Sequence, residues 1–91
     1  MNKKIITNTI ENTTFKLYTN GNKNSYQTIK MTNTKTGKTL ENKVIAPVDF
    51  FTVINAITYH ERLCDVIDDL SDTWAAEVLD DMIQEVANDG E

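Results

Sequence analysis

Along the first 45 residues apolar and polar side chains alternate, whereas beyond Pro47 the apolar positions recur every three or four residues. Alternation marks strands with one buried face, and the longer period marks helices with one buried stripe. Four strands are expected. Lys4–Ile10 would turn Ile6 and Ile10 inward, and Thr14–Thr19 would bury Phe15 and Leu17 while Lys16 and Tyr18 face out. After NGNKN at 20–24, a run rich in residues that accept positive φ, Ser25–Asn33 would bury Ile29 and Met31 and expose Tyr26, Thr28 and Lys30. A turn at KTGK, 35–38, leads to Thr39–Ile45 with Leu40 and Val44 inward. The density of threonine suits half-buried strands, and two joined hairpins form an antiparallel meander.

Ala46-Pro47 ends the sheet, because proline cannot donate to a ladder but fits the first turn of a helix. Phe50, Val53, Ile54 and Ile57 then recur at helical spacing, and His60, Cys64 and Ile67 continue the stripe with a drift. Leu63 and Leu70 lie to one side of it. The segment reads either as one long helix or as two short ones broken near Thr58–Glu61. Ser71 stands where a helix N-cap is expected, with Asp72 favourably placed against the dipole. Trp74, Ala75, Val78, Leu79, Met82, Ile83 and Val86 form the last apolar stripe, with Glu77, Asp80, Asp81 and Gln84 on the opposite arc and Gly90 near the stop. The expected fold is α+β: a four-stranded antiparallel meander followed by two or three α-helices packed on one face. The chain reads as a single domain over 1–91, with the meander in 1–45 and an acidic helical part in 47–91. The other sheet face would expose Lys16, Tyr18, Tyr26, Thr28, Lys30 and Lys43 to water.

With 40% apolar and 25% charged residues the composition is that of a folded chain rather than a disordered one. A chain of 91 residues buries roughly 60–65% of its unfolded surface, so its core is modest. The single cysteine, Cys64, excludes an intrachain disulfide and suits a reducing cytosol. The start, MNKKIITNT, has a positive end but only Ile5 and Ile6 as an apolar run. That is far short of the ~7–15 residues of a signal sequence, and nothing approaches the ~18–20 residues of a membrane span. A cytoplasmic protein is expected, and the wealth of Asn, Lys, Ile and Thr, residues with AT-rich codons, points to an AT-rich bacterial or phage genome.

Charge is divided unevenly along the chain. Residues 1–60 carry eight Lys against Glu11, Glu41 and Asp49, whereas residues 61–91 carry Arg62 against eleven acids; the two halves, +5 and −10, sum to the net charge of −5. Such a molecule can meet partners of either sign, or another copy of itself. Helix surfaces usually interleave Lys with Glu. Here Asp68, Asp69, Asp72, Glu77, Asp80, Asp81 and Glu85 repel one another almost without compensation. A basic partner would relieve that repulsion, and rigidly spaced carboxylates can imitate a phosphate backbone.

Chemistry is less marked. His60 and Cys64, four apart, have the spacing of two zinc ligands or of a thiol–imidazole pair. With no second Cys or His to complete a metal site, and with Cys64 on the apolar stripe, the expectation is a core cysteine beside a histidine at the core's edge. No phosphate loop, nucleotide fingerprint or calcium loop is present, so neither cofactor nor catalysis is implied. A sheet face bearing Lys16, Tyr18, Tyr26 and Lys30 could bind nucleic acid, but the lone Arg and the pI of about 4.7 argue against it as the first reading. Phe51 and Val66, off the main stripe, are candidates to meet across a homodimer interface.

In size, in a short antiparallel sheet with helices, and in clusters such as CDVIDDLSD (64–72) and EVLDDMIQE (77–85), the chain resembles the small acidic proteins that phages and mobile elements of low-GC bacteria use against host nucleases, the anti-CRISPR proteins above all. That resemblance implies stoichiometric inhibition without cofactor or turnover, carboxylates blocking the basic nucleic-acid-binding cleft of a host protein such as a CRISPR nuclease. The chain departs from a pure DNA mimic in its net positive N-terminal half.

Overall fold

The computed structural model describes residues 4–19, 27–44, 47–73 and 75–87. Its sheet consists of β1 (Lys4–Ile10), β2 (Thr13–Thr19), β3 (Gln27–Asn33) and β4 (Thr39–Val44), antiparallel and in the order β1-β2-β3-β4. Three helical segments follow, α1 (Pro47–Tyr59), α2 (Leu63–Leu70) and α3 (Ala75–Met82), and α3 runs on into a π-helical turn over Ile83–Ala87. The fold is the expected α+β meander with its helices on one face. The turn NGNKN, Ser25, Tyr26, Ile45, Trp74, Gly90 and the side chain of Val44 lie outside the described residues.

Register follows the alternation. Phe15 pairs with Met31 and Leu17 with Ile29, so these four buried side chains form the centre of the inner face. Ile10, buried beyond the hairpin, and half-buried Ile6 and Leu40 extend it. The first hairpin turns in only two residues, Glu11 and Asn12, between the paired Ile10 and Thr13. Glu11 takes φ 56, a left-handed conformation with no glycine to ease it. In the turn between β3 and β4, Gly37 takes φ +78 and its N–H donates to the Asn33 carbonyl at 2.8 Å.

Asn33 fastens the two layers. It is 4% exposed, and its Nδ2 donates to the Val86 carbonyl at 2.9 Å, while its Oδ1 accepts from the N–H groups of Lys35 (2.8 Å) and Thr36 (3.2 Å). One amide thus holds a hairpin turn and the last helical turn together. Asn8 makes a second tie, from its Nδ2 to the Ile57 carbonyl at the end of α1.

The helices break where the sequence left a choice, between Tyr59 and Leu63. Arg62 is extended (φ −125, ψ 140), so the turn of the chain resets the helical phase. In α2, Val66 and Leu70 are buried and Leu63 and Ile67 half-buried, an i, i+3, i+4, i+7 stripe. Two expectations fall with that reset. Cys64, expected in the core, is exposed, and Val66, expected at an interface, is fully buried. Ser71 is not the N-cap of the last helix but the helical C-cap residue of α2, its N–H donating to the Asp68 carbonyl. Thr73, which accepts the Ala76 N–H at 3.3 Å and donates its hydroxyl to the Leu70 carbonyl at 2.8 Å, carries the link instead.

Candidate functional site

With the sheet's inner face covered, the molecule presents two surfaces of opposite character. The outer surface of the helical layer holds Asp68 and Asp69 on α2, Asp72 in the link, Glu77, Asp80 and Asp81 on α3, and Glu85 on the π-helical turn. All are exposed except Asp80, which is half-buried. They are outward because the apolar residues between them are inward: Leu79, Met82, Ile83 and Val86 are buried and set the phase of α3.

These carboxylates do not form one cluster. Asp68 and Asp80 line an open groove of about 510 Å³ with Glu11, Arg62, Leu63, Cys64, Ile67, Ile83 and Gln84. Asp81 and Glu85 line a second, also about 510 Å³, with Leu40, Glu41, Asn42, Met82 and Gln84. Helix α3 is therefore a ridge between two grooves, and Gln84, which donates to Asp80 at 3.2 Å, belongs to both. Asp69 turns elsewhere, 3.4 Å from His60 Nε2. Among the described residues this is the one contact within 4 Å that any helical carboxylate makes with a Lys, Arg or His side chain.

The opposite surface is the open sheet face. The pairings place its side chains in three rows across the strands: Ile5, Tyr18, Thr28 and Lys43; Thr7, Lys16, Lys30 and Glu41; Thr9, Thr14, Thr32 and Thr39. In the last row the hydroxyls of Thr9 and Thr14 lie 3.2 Å apart and those of Thr32 and Thr39 3.0 Å. The structure thus brings together Lys16, Tyr18 and Lys30 as expected of that face, while Tyr26 lies outside the described residues. Lys16 and Lys30 are directly opposed, an unfavourable cross-strand pair, and Lys30 is in turn paired with Glu41 on its other side.

His60 and Cys64 lie on either side of the break between α1 and α2, so they share no helix face. His60 meets Asp69, and the Cys64 thiol lies 3.8 Å from the carboxylate of Asp65. Among the described residues no group of three or more His, Cys, Asp or Glu could hold a metal ion. No helix among them is long and apolar enough to cross a membrane. Sequence reasoning missed Arg62, the lone cation in the first groove, and the roles of Asn33 and Asn8. Their partners lie 53 and 49 residues away, and no local pattern signals such a bond.

No protein family, curated protein or solved structure matches this chain.

Proposed function

We propose that this chain is a non-enzymatic inhibitor that binds a basic protein through the acidic ridge of α3 and its two flanking grooves. The observation that carries the reading is the absence of compensation. Asp68, Asp72, Glu77, Asp80, Asp81 and Glu85 stand on one layer with no Lys or Arg in ion-pair contact among the described residues. A small domain gains nothing in stability from such repulsion. A cleft built for nucleic acid, lined by Lys and Arg, would remove it, and the carboxylates would stand where phosphates otherwise bind. Fixed on short helices and not on a flexible tail, they also lose little freedom on binding. A host nuclease of the kind blocked by anti-CRISPR proteins, a CRISPR effector among them, fits that description, in a bacterial cytoplasm.

The test is affinity capture from a low-GC bacterial lysate with elution by a salt gradient, followed by competition between the captured protein's nucleic acid and this chain. The expected result is a basic nucleic-acid-binding protein released at moderate salt. Replacing Asp80 and Asp81 together by Asn should weaken that binding at least tenfold, about 1.4 kcal/mol, and flatten its salt dependence. Equal binding by the double variant would overturn the electrostatic reading. Recovery of nucleic acid in place of protein would transfer function to the Lys16–Lys30 sheet face.

A further inference from the structure

We infer that the free edge of β1 is a self-association site, pairing antiparallel with β1 of a second copy to continue the sheet across a two-fold axis. Among the described residues the four-stranded meander has two free edges, and they differ. Strand β4 is guarded by the charges of Glu41 and Lys43, and by Asn42, whose Oδ1 accepts the Lys43 N–H at 2.9 Å. It also lies beside Asp81 and Glu85 across the second groove. Strand β1 has a similar asparagine cap only at its far end, on the Thr9 N–H, and its one charge, Lys4, stands at its start. From Ile5 to Ile10 it carries no charge, no proline and no glycine, and Ile5 is 56% exposed. A long uncharged edge is the feature that sheet proteins ordinarily suppress, since its unpaired N–H and C=O groups template another strand.

Ile10 and Thr13 close a two-residue hairpin, so they exchange hydrogen bonds, and alternation along the ladder gives the same role to Asn8 with Phe15 and Ile6 with Leu17. Ile5, Thr7 and Thr9 therefore direct their backbone groups away from β2. The Thr9 N–H agrees: it donates to Asn8 Oδ1 at 2.9 Å, which caps that end of the edge. The open groups are those of Ile5 and Thr7. A two-fold axis through Ile6 sets Ile5 of one copy opposite Thr7 of the other, with both residues exchanging bonds, and leaves the Asn8 cap intact.

A second copy fits this edge better than a charged peptide. In that register Lys4 falls opposite Asn8, so no like charges oppose one another. The last turn of α1, held to β1 through Asn8 and Ile57, has no charged residue and exposes Tyr59 at 80%. Two chains of net charge −5 repel; the uncharged stretch Ile5–Ile10 and the uncharged last turn of α1 are where they can approach with least repulsion. The corrected picture also moves the homodimer away from Val66, which is buried.

The test is sedimentation equilibrium over a concentration series, with amide hydrogen exchange read residue by residue. The expected result is a mass rising from 10.3 kDa towards twice that value, with exchange at the Ile5 and Thr7 amides slowing as concentration rises. Ile5→Lys, at an exposed position that the monomer does not need, should weaken association at least tenfold. Thr7→Pro, which removes an outward N–H as edge strands tolerate, should abolish it. A single-chain mass at every concentration would overturn the inference. So would a dimer whose Ile5 and Thr7 amides exchange as fast as in dilute solution, or one that Ile5→Lys leaves unchanged.

Discussion

Asn33 satisfies three backbone groups with one side chain: two N–H groups of its own turn, and the carbonyl of Val86, a residue the helical layer buries. That carbonyl lies in the π-helical turn that continues α3. Asn33→Ala would leave the Val86 carbonyl buried without its donor and would free the turn N–H groups at the same time. An unsatisfied buried group costs ~1–3 kcal/mol and each lost hydrogen bond ~1 kcal/mol, so the expected loss is about 2–4 kcal/mol. Urea denaturation measures it; a loss below ~1 kcal/mol would show that water replaces the amide. Nothing in the sequence around TNTKTG distinguishes this asparagine from Asn8, Asn12 or Asn42. A residue's partner 53 positions away is decided by the packing of whole elements, and so it was not legible.

At the scale of elements, the sheet was legible almost throughout and the helices only in part. A strand's period of two survives any small error of boundary, so Phe15, Leu17, Ile29 and Met31 face inward whether the alternation is counted from Ser25 or from Gln27, the first described residue of β3. A helical stripe is less forgiving. Extrapolated from Ile57, it includes Cys64; restarted after the extended Arg62, it includes Leu63, Val66, Ile67 and Leu70 instead. The difference has a direct check. Val66→Ala removes two fully buried methyl groups and should cost about 2 kcal/mol, whereas Cys64→Ser, on an exposed face, should change stability by less than ~0.5 kcal/mol. The continuous-helix reading requires the opposite order. The acidic site was legible as a set of residues but not as a shape. Only the placement of α3 between α2 and β4 divides it into a ridge and two grooves.

For the whole molecule, the two-layer arrangement largely separates charge by face: lysines and threonines with the one Glu41 on the open sheet, and a run of carboxylates on the helices. Most of the electrostatic free energy is therefore repulsion within one layer, between exposed groups that salt screens over a Debye length of ~8–10 Å. The melting temperature should rise as sodium chloride is raised from low concentration. Asp80→Asn with Asp81→Asn should raise it at low salt and reduce the salt effect, both measurable by thermal denaturation. A melting temperature that falls with salt would mean that attractive pairs dominate, contrary to the single His60–Asp69 contact found among the described residues. The tie between Asn33 and Val86 has one more consequence, for the order of events during synthesis. The ribosome completes the meander while the residues that cover it are still unmade, since Leu79, Met82, Ile83 and Val86 come last. Until then Phe15, Leu17, Ile29 and Met31 form an apolar sheet face with only part of its cover, that supplied by α1 and α2, and the β1 edge lies beside it. The nascent chain is thus most exposed to aggregation in the interval before α3 and its π-helical turn emerge, and the stitch at Asn33 closes that interval.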